Sequence, residues 1–140
     1  MRKKFDPTDI ETIEKIKKVM GVSDWEVTVT VYSAEEEPNK PVCGENYLQP
    51  EYRRSRIHIY ESGILESQKS FPSESEKSVL YHEIAEIAAY ECTSIIPESK
   101  KHTPQFMQLR DMFAERLSKS VLLAEEKKAC SSKRPKQTGG

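Results

Sequence analysis

The sequence predicts one α+β domain: a helix, then a small antiparallel sheet, then two packed helices. Three observations predict it. Ile10, Ile13, Ile16 and Met20 recur at helical spacing. Trp25 to Tyr32 alternates apolar and polar residues strictly, as a strand with one face on a core does. Val79, Leu80, Ile84, Ala85, Ile87, Ala88 and Ala89 make a third segment apolar nearly all round, which marks a central, buried helix.

Each element has its own local signals. Asp6-Pro7 suits a helix start, with Asp as cap and Pro at the first turn, and Gly21 is placed to end that helix in a left-handed cap. Glu35 to Pro41 reads as an exposed turn. Val42 to Leu48 and Tyr52 to Tyr60 read as two more strands interrupted at Pro50, with Ile57 and Ile59 on one face and His58 on the other. Close succession of the three strands favours an antiparallel meander. Glu61 to Phe71 extends the sheet or opens a loop. Ser73-Glu74-Ser75-Glu76 reads as a capping box that opens the buried helix, and Pro97 marks its exit. Thr103-Pro104 starts the last helix, whose apolar stripe is Phe106, Leu109, Phe113, Leu117 and Val121. Residues 1–124 form the expected domain, and 125–140 a disordered tail that is basic from Lys127 onward.

The bulk composition removes several function classes. A formal net charge of −1 leaves no global basic field to recruit nucleic acid or an anionic membrane. No apolar run approaches a membrane span, and no apolar stretch follows the basic N-terminus as a secretory signal requires. Cys43, Cys92 and Cys130 have no close pairing, so no zinc knuckle or redox couple is written in them. A monomer in a reducing cytoplasm, without membrane contact, is the expectation.

The chemistry concentrates in Tyr81-His82-Glu83-Ile84-Ala85-Glu86, with His102 sixteen residues after Glu86. Residues four apart share a helix face, so His82 and Glu86 can grip one metal ion from successive turns, with Glu83 beside it. Zinc takes nitrogen and oxygen donors in a tetrahedron, and a catalytic site leaves one position for water. His102, just before the cap of the next helix, is the expected third ligand if that helix folds back so that its entry faces the pair. Three ionisable side chains inside an apolar helix are costly unless paired or ligated, which argues for a site apart from any motif. Glu83 is then the general base, and a protein or peptide the substrate.

The order of these parts resembles the SprT-like zinc metallopeptidases, a compact branch of the zincin group with versions in phages and mobile elements. Helix, short antiparallel sheet, active-site helix with His-Glu-x-x-His, and a third His in a His-x-x-x-Phe segment match residues 5 to 124 in order. The resemblance implies zinc at His82 and His102, Glu83 as general base, and Glu86 where the family has its second His. It implies a zincin-like fold and peptide-bond hydrolysis. Some members act on proteins bound to DNA, and no Cys-rich zinc ribbon is present here.

Two rivals stand beside that expectation. One is a catalytically inactive module that keeps the fold and the metal, or a buried His–Glu pair without metal. The other is a DNA-associated protein that touches nucleic acid weakly through its basic tail or through Arg53, Arg54 and Arg56. Tyr52 to Tyr60 is the expected edge for a substrate strand, and Tyr90 an oxyanion donor or a packed aromatic. Glu91 and Glu98 are substitute ligands.

Overall fold

Asp9, in extended conformation, accepts the Thr12 amide and opens helix α1 (Ile10–Met20), one turn later than Asp6 predicts. Asp6 instead holds the preceding turn by accepting from the Thr8 amide. Gly21 closes α1 at φ 74°, a left-handed cap that costs a glycine no Cβ strain. The computed structural model describes residues 5–94 and 103–133, the stretch 121–133 by its backbone alone.

Three strands follow, β1 (Glu26–Tyr32), β2 (Gly44–Gln49) and β3 (Arg54–Tyr60), then a short helix α2 (Glu61–Ser67). The long helices α3 (Glu76–Thr93) and α4 (Pro104–Lys133) complete the chain. The architecture is α+β. Its sheet is mixed rather than antiparallel, and the spatial order is β1-β3-β2. β2 and β3 form an antiparallel hairpin around a 3-10 turn at Pro50–Tyr52, but β1 pairs parallel to β3. The cause lies in burial. Ser55, Ile57 and Ile59 are fully buried, so β3 is the strand that fits between two neighbours. The segment 33–43 is long enough to carry the chain across it.

Register fixes two unlike sheet faces. Val27, Val29 and Val31 stand beside Ser55, Ile57 and Ile59, with Asn46 and Leu48 on the far side, all toward the helices. Trp25, Ile16, Leu80, Ile84, Ile87, Phe106 and Leu117 fill the space against them. Glu26, Thr28, Thr30 and Tyr32 alternate onto the opposite face with Arg54, Arg56, His58 and Tyr60.

Other boundaries also moved. Gly63-Ile64-Leu65 belongs to α2 and not to a strand or loop. Ile64 is buried, and Gly63 passes so close to the 42–43 backbone that a Cβ there would collide with the Val42 carbonyl oxygen. The cap of α3 is Ser75, which exchanges hydrogen bonds with Ser78, so the box lies two residues beyond the one predicted from Ser73. Ser94, at φ 62°, ends α3 before Pro97 is reached. Thr103 caps α4 through the Phe106 amide, as the sequence predicts. α4 continues to Lys133, inside the stretch 125–140 expected as a disordered tail. Ala124-Glu125-Glu126-Lys127-Lys128-Ala129 is built of strong helix formers, which explains the continuation. Among the described residues no helix is long and apolar enough to cross a membrane.

Candidate functional site

His82, Glu83 and Glu86 sit mid-way along α3, where the helix crosses the inner face of the sheet. Glu83 and Glu86 are only 5% and 6% exposed, whereas the His82 side chain keeps 40% of its surface. His82 therefore stands at the mouth of the site, with the two carboxylates behind it. His82 Nε2 lies 3.4 Å from Glu86 Oε2. Two donors each about 2.1 Å from one tetrahedral zinc are themselves about 3.4 Å apart. The two described members of the three expected ligands thus stand at a separation compatible with zinc.

The sheet reaches the site through two residues that the sequence reading passed over. Gly44, on the inner face of β2, lies against α3: a Cβ there would fall 2.7 Å from Val79 Cγ1 and 3.2 Å from Glu83 Oε2. Only glycine lets this strand approach the carboxylate so closely. Asn46, 3% exposed, donates from Nδ2 to the Glu83 carbonyl at 2.7 Å and accepts from Ser55 Oγ at 2.7 Å. This bridge ties β2 and β3 to α3 at the level of Glu83 and leaves both buried side chains paired. An Asn on the inward side of an alternating strand was the signal for it.

Helix α4 supplies Arg110, whose Nη1 lies 3.8 Å from Glu86 Oε2. Its place between Phe106 and Phe113 on the inward stripe was the sequence signal. The part of α4 that meets the His82–Glu86 pair is thus its second turn onward, with Arg110 beside Glu86 and Ala114 lining the same cleft as His82. The entry of α4 at Thr103 was expected there. It lies seven residues earlier, about 10 Å along a helix axis. His102 is outside the described residues. Among the described residues no group of three His, Cys, Asp or Glu donors converges for a metal.

The environment of Glu83 favours its neutral form. Burial pushes the Glu83 carboxyl well above its ordinary value, and the negative charge and hydrogen bond of Glu86 push it further. Arg110 acts in the opposite direction. Burial and Glu86 thus favour the protonated form of Glu83, and positive charge nearby favours the carboxylate.

A cleft of about 590 Å³ opens beside these groups, lined among others by Cys43, Gly44, Glu74, Ser78, His82 and Glu83. Its sheet wall is β2, one of the two edge strands, whose far edge has no partner strand among the described residues. β3 was expected to offer that edge. It is paired on both sides and cannot. Burial also raises the Cys43 thiol above its usual range.

The remaining candidates have other partners. Tyr90 packs edge-on against Trp25, with ring centroids 6.0 Å apart, which is the packed-aromatic alternative. Glu91 accepts from Arg53 at 2.7 Å, and Arg53 also holds Asp24 at 2.6 Å, so Glu91 is committed away from the site. Glu98 lies outside the described residues. Searches against protein-family models, curated proteins and solved structures found no match to the chain.

Proposed function

We propose that this protein is a zinc-dependent metallopeptidase, with His82 and Glu86 as ligands, His102 as third ligand and Glu83 as general base. The observation that carries the reading is the 3.4 Å separation of His82 Nε2 and Glu86 Oε2 at the mouth of a cleft, with a buried carboxylate alongside. The donor set of two imidazoles and one carboxylate suits zinc, which when bound supplies Lewis acidity to a peptide carbonyl and to water. Glu83 takes a proton from the attacking water and delivers it to the leaving amine. The Asn46 bridge and the approach of Gly44 hold Glu83 in place for that transfer. An extended peptide added along the free edge of β2 passes the same carboxylate. The reading takes its reaction class from the resemblance of the sequence to SprT-like enzymes, with a Glu in the second His position.

Arg110 favours a second reading. A guanidinium 3.8 Å from the oxygen that would ligate zinc already supplies positive charge to Glu86. On that reading the fold is kept as a non-catalytic interaction module. Casein hydrolysis by zinc-loaded protein separates the two. The enzyme cleaves it and Glu83→Gln does not, with loss on the order of 10²-fold or more; zinc-loaded protein without cleavage is the module.

A further inference from the structure

The face of the sheet opposite α3 holds a run of aromatic rings. Tyr32 and Tyr60 stack with centroids 5.5 Å apart, and His58 meets Tyr32 and Tyr47 edge-on, each at 5.2 Å. Tyr52 extends the run at the β2–β3 turn, 66% exposed, with the Arg54 guanidinium over its ring at 5.5 Å. Lys40 lies over the Tyr60 ring at 4.3 Å. Glu45 accepts from Tyr47 Oη at 2.6 Å and Tyr60 Oη at 2.7 Å, which fixes both rings.

Burial alone does not account for this face. Tyr60 is buried beneath the run at 4% exposure, but Tyr47 is 39% exposed, Arg56 beside it is exposed, and no ion pair engages Arg56 among the described residues. Thr28 and Thr30 add exposed hydroxyls on the same face, and no aliphatic side chain from the three strands points there. Glu26 and Glu45 share the face, held by Arg54 and by the two tyrosines. Rings interleaved with cations and hydroxyls, without an aliphatic patch, match the bases and phosphates of a nucleic acid better than a protein's apolar anchor. The strand repeat sets Arg54, Arg56, His58 and Tyr60 about 6.5 Å apart, comparable with successive nucleotides of an unstacked strand. A flat sheet offers rings to bases only when those bases are unpaired.

We propose that the Tyr32–Tyr47–His58 face of the sheet, with Lys40, Arg54 and Arg56, is a stacking platform for single-stranded nucleic acid. Its rings and arginines lie across the sheet from Glu83, with Lys40 at the rim shared with the cleft, and the proposal does not depend on the hydrolase reading. Bases stack on Tyr47, His58 and Tyr32, while Arg54, Arg56 and Lys40 meet phosphates. Three such contacts give a log–log salt slope on the order of −2.

Fluorescence anisotropy with the full chain and a labelled oligothymidylate at low salt tests it, with a duplex of equal length as comparison. Tyr47→Ala and Arg56→Ala each weaken binding about tenfold, the loss expected for one stacked base or its neighbouring charge. Tyr47→Phe keeps the stack and the affinity, and Glu83→Gln binds as the parent does. Absence of binding at low salt, preference for the duplex, or affinity unchanged in both Tyr47→Ala and Arg56→Ala overturns the proposal. The last outcome would assign binding to the basic C-terminal residues instead.

Discussion

A carboxylate as buried as Glu83 is expensive unless its chemistry is needed, and the two costs can be separated by substitution. Because its carboxyl is held well above the ordinary value of 4.5, the protonated form is the one the fold prefers. Native stability in the metal-free protein therefore falls as pH rises from 4.5 through the higher folded value. Glu83→Gln removes that penalty. At neutral pH it should raise stability by about 1 kcal/mol, the usual gain when a functional group is removed, while abolishing hydrolysis. Urea denaturation at pH 7 and below 4.5 checks it: the gain is expected only at the higher pH. Asn46 is the opposite case. Asn46→Ala leaves Ser55 and the bridge to α3 without a partner and should cost about 1–3 kcal/mol in the same assay. The motif residues were legible in the sequence because spacing on one helix is local information. Arg110 and the Asn46 bridge were not assigned, since each depends on a contact between elements distant in the chain.

At the level of elements, the sequence specified existence and facing better than pairing. Strict alternation located β1, and the Ile57, His58, Ile59 triplet gave the faces of β3 correctly. Alternation says nothing about which strands are neighbours or in which sense they run; the full burial of the inner side of β3 fits its central place, with β1 parallel on one side. α2 escaped notice because seven residues carry too little periodicity to distinguish helix from strand. Its tight seat gives a direct test. Gly63→Ala drives a methyl into the Val42 carbonyl, and calorimetry should show destabilisation by about 1–3 kcal/mol. Gly44→Ala presses instead on Val79 and Glu83. Its larger effect should fall on hydrolysis, measured as kcat/KM for a peptide, because it widens the wall of the cleft.

Across the whole molecule, helices and cleft lie on one side of a three-stranded sheet, and an aromatic, partly cationic face on the other. The outer face should announce itself in acid. Hydrogen bonds from Tyr47 and Tyr60 hold the Glu45 carboxyl below its ordinary value of 4.5. A depressed carboxylate adds stability above that ordinary value and loses it as pH falls through the folded one. Thermal melts of the parent and Glu45→Gln should differ at pH 7 and converge in acid, the reverse of the Glu83→Gln trend. The account as a whole depends on a metal at His82 and Glu86. Titration of zinc into chelator-treated protein, followed calorimetrically, measures it most directly. One equivalent should bind the parent and be lost in His82→Ala and in Glu86→Ala, with affinity also reduced in His102→Ala. Absence of a binding isotherm in the parent, or an unchanged isotherm in His82→Ala, would contradict the metal centre.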